Sequence, residues 1–312
     1  MNLVLFWLLT PAAAIFLTVQ TLLILGQVLR RHDLEFFGRT IAFFIALLIC
    51  ATYGTIASAC LNVAGYGGLG QWATAQSFKW TMLLFTNVAF EIDDPRNYLN
   101  KTRPAVFVGN HQTELDILFL AHIWPKYCSV TAKKSLKYIP FLGWFMSLSR
   151  TVFIERTSRE QAVAAFAKAA QQMHEHKQSV YIFPEGTRSY YDHPDMLPFK
   201  KGAFHLAVQA QVPIVPVVSA NYSAVLNFKK RIFRQGRISV KVLEPVPTKG
   251  KTKEDVDALL EEVREKMLAE LKKLTSHARE EGVALKEHEA SHAKANGTAK
   301  ASGVDMVHNA AA

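Results

Sequence analysis

A histidine and an aspartate five residues apart, His111 and Asp116, follow a short apolar run that ends at Gly109. On a regular helix residues at that spacing point about 140° apart and cannot touch. Thr113-x-x-Asp116 has the form of a capping box, which predicts a helix starting after Thr113 with Asp116 in its first turn. His111 then lies in the turn before the helix, free to fold back onto the Asp116 carboxylate. Such a pair fixes the imidazole tautomer, leaves Nε2 as the proton acceptor and stabilises the imidazolium formed on proton abstraction. A surface histidine followed by a capping carboxylate has the same spacing, so neighbouring blocks must decide between the two.

A second block, Pro184-Glu185-Gly186-Thr187-Arg188-Ser189, follows the apolar run Ser179–Phe183. A strand ending in Gly, Thr and Arg brings backbone N–H groups, a hydroxyl and a guanidinium to one spot, which can cradle a phosphate. Arg156 stands in a similar place, after the run Thr151–Glu155. No Gly-x-Ser-x-Gly elbow occurs, which argues against a lipase-type acyl-enzyme. A base acting on an alcohol needs no enzyme nucleophile.

These groups must be positioned by strand ends. β-rich runs recur at Ala105–Gly109, Cys128–Ala132, Thr151–Glu155, Ser179–Phe183, Pro213–Val218 and Arg237–Leu243. Helical patterns cover 159–177, opened by the capping box Ser158-x-x-Gln161, and 201–211. After a second box, Thr252-x-x-Asp255, come Val256, Leu259, Leu260, Val263, Met267, Leu271 and Leu274 at helical spacing. The alternation predicts an α/β domain over residues 64–279 with a mixed, largely parallel sheet and flanking helices, its functional groups on loops leaving the strands. Residues 280–312 are polar and alanine-rich and read as a disordered tail.

The N-terminal part reads as membrane. Only five of the 62 charged residues (Arg30, Arg31, Asp33, Glu35 and Arg39) precede Lys79. Met1–Leu29 has none, and as a helix it reaches about 40 Å against roughly 30 Å of hydrocarbon. A second uncharged run spans Thr40–Phe78, with the polar turn Arg30–Glu35 between the two. Residues 1–63 are therefore expected to form a helical hairpin that crosses the bilayer twice or dips into one leaflet. Trp80–Phe90, too short to span, is expected to dock on the membrane surface. The net charge of +10 is concentrated in residues 64–249, with 23 basic and 12 acidic side chains, a balance that attracts phosphates. Three cysteines, two of them in the apolar run, make no disulfide framework. Together these features exclude disordered, collagen-like and disulfide-stapled proteins, and a wholly soluble enzyme.

In chain order, Asn110-His111-(four residues)-Asp116, Phe153-Ile154-Glu155-Arg156, Phe183–Ser189 and Val212–Val217 resemble the four blocks of the glycerolipid acyltransferases. Tyr138–Trp144 and Leu197–Phe204 are most similar to the 1-acyl-sn-glycerol-3-phosphate acyltransferases of eukaryotic type. The resemblance covers about residues 80–275, plus the apolar N-terminal hairpin. It implies acyl transfer from acyl-CoA to the sn-2 hydroxyl of lysophosphatidic acid at a lipid bilayer, in the endoplasmic reticulum. It further implies His111 as base and Asp116 as its orienting carboxylate, with no metal and no cofactor, acyl-CoA being a substrate. Arg156, Glu185, Gly186, Thr187 and Arg188 correspond to glycerophosphate-binding positions, and Pro216 to the acyl side. Arg150 stands where the family usually has Gly, which predicts a changed backbone or an added phosphate contact there.

Other readings fare worse. His288-Glu289-Ala290-Ser291-His292 matches a zinc-protease pattern but lies in the polar tail without an apolar helix face. The sequons at Asn100, Asn221 and Asn296 are short enough to arise by chance. No nucleic-acid motif accompanies the basic middle, so nucleic acid is not an expected partner. A silent lipid-binding protein on the same fold would not need His111, Asp116 and the 185–188 block intact. Glycerol 3-phosphate or another lysophospholipid remains open as acceptor, because pocket shape decides that choice.

Overall fold

The computed structural model describes residues 3–155 and 159–277. Arg156, the Ser158 cap, the tail with His288 and His292, and Asn296 lie outside them. In chain order the elements are α1 (Leu3–Val28), α2 (His32–Val63), α3 (Gly70–Thr86), β1 (Val88–Asp93), α4 (Tyr98–Lys101), β2 (Val106–Gly109) and α5 (Asp116–Ile123). There follow β3 (Cys128–Lys133), α6 (Leu142–Leu148), β4 (Val152–Ile154), α7 (Arg159–His176), β5 (Ser179–Ile182) and α8 (Gly202–Gln209). Last come β6 (Ile214–Ser219), β7 (Leu226–Asn227), β8 (Ile232–Phe233), β9 (Gly236–Val242) and a helix over residues 256–277, α9.

Seven strands form one sheet in the order β1-β9-β6-β2-β5-β3-β4, and β7 and β8 form a small hairpin. β6, β2, β5, β3 and β4 run parallel; β9 is antiparallel to β6, and β1 is parallel to β9. The three central strands are short apolar runs buried throughout, as strands covered on both faces must be. Their alternation divides the core. Phe107, Tyr181 and Val215, in register, join a cluster with Phe78 and Met82 of α3 and Leu118 and Phe119 of α5. Val106, Val180 and Ile214, one residue earlier, join Met173 of α7, Phe204 of α8, and Leu259, Val263 and Met267 of α9. From β2 the chain moves first to one side of the sheet, through β3, β4 and β5 in turn, and later to the other, through β6. β2 is thus the switch point where open α/β sheets leave a crevice at the carboxyl ends of their strands.

The expected mixed sheet with flanking helices is present, and so is the Thr252–Asp255 capping box, with Asp255 Oδ2 accepting from Thr252 N at 2.7 Å. Within the uncharged run Thr40–Phe78, α2 ends at Val63, where the hairpin was expected to end; the chain then turns through Gly65 to Leu69, and α3 packs under the sheet. Two readings of the N-terminal part need correction. Trp80–Phe90 is not one docking stretch. Asn87, in the left-handed region at φ 52°, caps α3 and starts β1. Phe78, Met82, Val88 and Phe90 are buried, whereas Trp80 and Leu84 are exposed. The polar turn shrinks to residues 29–31, because α2 already begins at His32. Arg39, buried in α2, donates to Glu35 at 2.7 Å and to the carbonyls of Thr86 at 3.3 Å and Phe233 at 3.0 Å, fastening the helix to α3 and β8.

Candidate active site

His111 leaves the carboxyl end of β2, and its ring folds back on Asp116 as the spacing required: Nδ1 lies 2.6 Å from Asp116 Oδ2. The local device differs from the capping box. α5 starts at Asp116 itself, and no side chain caps it at Leu115. Thr113 Oγ1 accepts from Leu115 N at 3.2 Å, and Asp116 reaches back past Thr113 to accept from Gln112 N at 2.7 Å. The carboxylate is therefore turned into the preceding loop, towards His111, instead of being spent on the helix end.

The hydrogen-bond inventory fixes the tautomer. Asp116 Oδ2 accepts from Gln112 N, so it is an acceptor oxygen and His111 Nδ1 is the donor to it. Asp116 Oδ1 accepts from the Tyr222 hydroxyl at 2.5 Å. That hydroxyl in turn accepts from Thr113 N at 3.2 Å. Burial and the neighbouring Asp116 charge push the Tyr222 phenol well above its usual pKa, so it stays a donor. Among the described residues His111 Nε2 has no hydrogen-bond partner. It is the acceptor nitrogen of a ring stacked on Phe183, centroids 4.1 Å apart and planes 13° apart.

Two further strands lock this loop. The Asn110 side chain clasps Ser219 at the end of β6, donating to its carbonyl and accepting its N–H, each at 2.9 Å. Gln112 Nε2 donates to the Ala220 carbonyl at 2.9 Å. From the β5 side, Ser189 N donates to the His111 carbonyl at 3.0 Å and Tyr190 N to that of Gln112 at 3.1 Å. The two sequence blocks, 110–116 and 183–190, are thus one built unit.

Within that unit the residues of the 185–188 block do different things. Glu185 is buried, and each of its oxygens accepts a backbone N–H: Oε1 from His111 at 2.7 Å and Oε2 from Leu197 at 2.8 Å. It braces the loops instead of facing solvent, a correction to its reading as a substrate contact. Gly186 turns the chain at φ 71°, with the Lys200 side chain so close that a Cβ would meet it at 2.9 Å. Thr187 is exposed. The Arg188 guanidinium is partly exposed; its Nη1 donates to Glu114 Oε1 at 2.9 Å, while Arg188 Nε and Glu114 Oε2 are buried without partners among the described residues. The Tyr190 hydroxyl donates to Glu114 Oε1 at 2.7 Å.

Pro216 sits inside β6 opposite Val108, buried in the sheet. Arg150 keeps the left-handed backbone, φ 63°, that a glycine adopts freely. An arginine there costs roughly 1 kcal/mol. Its guanidinium lies against Gly67 at the α2–α3 corner, where the side chain packs. Sequence reasoning missed Tyr222, Glu114 and Tyr190. The available signal for Tyr222 was a hydroxyl-bearing aromatic just past a fully apolar strand; Asn221-Tyr222-Ser223 drew notice only as a sequon.

Burial pushes the Glu185 carboxyl up to about 7 from 4.5. The folded protein then holds this proton to higher pH than the unfolded chain does. Stability from the neutral carboxyl is complete below about pH 4.5 and is lost as pH rises through about 7. In Glu185→Gln this dependence vanishes, although one N–H loses its acceptor at every pH. Unfolding midpoints of the two proteins at about pH 5 and about pH 8 should show the wild type losing up to about 3 kcal/mol relative to the variant.

Comparison with known proteins places the chain in a class. Residues 92–220, from the end of β1 to the loop that carries Tyr222, match the family model described as Acyltransferase. The crystal structure of the 1-acyl-sn-glycerophosphate (LPA) acyltransferase PlsC from Thermotoga maritima superposes with a TM-score of 0.59 at 26% identity, over 75% of this chain and 95% of that one. The 1-acyl-sn-glycerol-3-phosphate acyltransferase of Saccharomyces cerevisiae is 42% identical over 239 residues, 77% of this chain and 78% of its own length. The beta form from Homo sapiens is 40% identical over 251 residues, 80% and 86% of the two chains. The chain belongs to the 1-acyl-sn-glycerol-3-phosphate acyltransferase family.

Proposed function

We propose that this enzyme moves an acyl group from acyl-CoA to the sn-2 hydroxyl of lysophosphatidic acid, giving phosphatidic acid, with His111 as general base. The observation that carries this reading is the His111 ring itself, with Nδ1 held by Asp116 and Nε2 open as the acceptor. Nε2 takes the proton of the acceptor hydroxyl as its oxygen attacks the thioester carbonyl. The tetrahedral intermediate collapses with loss of the CoA thiolate, and the imidazolium supplies the proton that thiolate takes up. Asp116 stabilises the imidazolium meanwhile. No bond to the enzyme is formed.

The acceptor's phosphate is assigned to Arg188, whose fork carries one Glu114 contact and presents its exposed part beside the His111 loop. Charge-assisted contacts to a phosphate are worth about 1.5–3 kcal/mol, and a lysine cannot reproduce the fork. Arg188→Lys should therefore raise the KM for lysophosphatidic acid by about ten- to a hundredfold, with the KM for acyl-CoA little changed. A selective rise in the acyl-CoA KM would move Arg188 to the donor side.

Tyr222 is fully buried and acts through Asp116. Tyr222→Phe removes one of three donors to the carboxylate and leaves Thr113 N–H without its acceptor. Steady-state kinetics should show kcat lower by about tenfold or more, with both KM values near wild type.

The N-terminal hairpin supports a membrane location. α2 is long and apolar enough to cross a bilayer. Its inner face, including Phe43, Ala46, Cys50 and Gly54, is packed on the protein, while Phe44, Leu48, Ile49 and Ile56 are exposed. A helix fastened to the catalytic domain from Arg39 at one end to Asn62 at the other lies beside it, which supports a hairpin that dips into one leaflet. By resemblance that membrane is the endoplasmic reticulum. The test is an acyl-CoA assay of the protein in lipid against lysophosphatidic acid, glycerol 3-phosphate and lysophosphatidylcholine. Turnover should be highest with lysophosphatidic acid; a preference for either other acceptor would overturn the assignment.

A further inference from the structure

The crossover from β3 to β4, residues 134–151, carries an apolar surface that the interior of the protein does not use. Tyr138 is 74% exposed and Trp144 54%, and Ile139, Phe141 and Leu148 are exposed beside them. Of α6 itself only Gly143 and Met146 are buried. Aromatic side chains concentrated at one surface of a charged domain call for a partner.

The position of this segment says which. α6 packs against the C-terminal half of α2: Thr55 Oγ1 donates to the Phe141 carbonyl at 3.1 Å, and Asn62 Nδ2 to that of Leu148 at 2.8 Å. The exposed residues of α6 thus continue the outward apolar face of α2, where Tyr53 and Ile56 are exposed. The chain just before them is basic, with Lys133 and Lys137 exposed and Lys134 partly so. An apolar patch of Trp, Tyr and Phe rimmed by lysines matches the boundary between acyl chains and anionic headgroups. A protein partner would have to share this face with whatever covers α2.

We propose that residues 138–148 form a second bilayer-inserting element, which enters the same leaflet as the hairpin with Trp144 among the lipids and the three lysines at the headgroups. The proposal rests on the membrane reading of the hairpin. Its consequence is positional. The segment leaves the carboxyl end of β3, the end of the parallel strands from which His111 and the 183–189 loop also emerge. Two attachments, α2 and α6, then fix the tilt of the sheet. They keep the site at the height of the headgroup, so an acceptor can be acylated without leaving the leaflet.

The two attachments can be read separately. Among the cysteines Cys50 and Cys128 are buried and Cys60 is exposed, so Cys60→Ala leaves no accessible thiol on the described residues. In that background, Trp144→Cys and, separately, Ile49→Cys on α2 are labelled with an environment-sensitive fluorophore (NBD). The full chain is reconstituted into phosphatidylcholine–phosphatidylserine vesicles with or without lipids bearing a nitroxide near the headgroup. The expected result is a blue-shifted emission at both positions, quenched at both by the nitroxide lipids. An aqueous spectrum at 144 with a shielded probe at 49 overturns the proposal and leaves the hairpin reading intact. Aqueous spectra at both positions overturn the two together.

Discussion

Replacing His111 by alanine should lower kcat by about 10³–10⁴-fold while leaving a folded, membrane-bound protein. The two halves of that expectation have separate grounds. The contacts that hold the loop together at this position are made by the His111 backbone, whose N–H goes to Glu185 and whose carbonyl receives Ser189. Both survive the substitution. The ring contributes a stack on Phe183, worth about 1 kcal/mol, and the hydrogen bond to Asp116. With the ring gone, no other described imidazole stands at this strand end. Kinetics on purified variant and wild type, with circular dichroism and vesicle flotation as controls, would check it. Near-normal turnover by the folded variant would remove His111 from the chemistry.

Asp116→Asn should cost about 10²–10³-fold in kcat, although it changes a single atom. The carboxylate offers acceptors to three donors, His111 Nδ1, Gln112 N and Tyr222. An asparagine offers one oxygen. If that oxygen serves Gln112 N and His111, its amide faces the Tyr222 hydroxyl; if it serves Tyr222, the amide donates to Nδ1 and forces the proton onto Nε2, where it blocks the base. Either arrangement also loses the charge that stabilises the imidazolium. Because the two residues act as one device, the double variant His111→Ala/Asp116→Asn should be hardly slower than His111→Ala alone. Independent, multiplying losses would show that Asp116 acts by some other route.

The legible parts of this molecule were those whose physics is local. β2, β5 and β6 announce themselves as uninterrupted apolar runs, and α9 as a capping box followed by a helical stripe. His111 and Asp116 were found from their spacing and the turn signal between them, even though the turn closes by a different hydrogen bond. Hidden parts depend on chain returning from far away. Tyr222 reaches Asp116 across 106 positions, and Glu114 meets Arg188 and Tyr190 across 74 and 76. No pattern along the chain encodes such a meeting. Glu185 was misplaced because a carboxylate in a phosphate-binding motif reads as a contact, while burial and two backbone donors make it a brace.

The proposed transfer is direct, with His111 acting on the acceptor and no covalent acyl-enzyme. It is tested most directly by mixing stoichiometric enzyme with acyl-labelled acyl-CoA in the absence of acceptor, quenching on the millisecond scale and counting label on the denatured protein. Direct transfer predicts no protein-bound label at any time, and formation of labelled phosphatidic acid only once lysophosphatidic acid is added. A burst of acyl-protein close to one per enzyme, discharged by the acceptor, would contradict it.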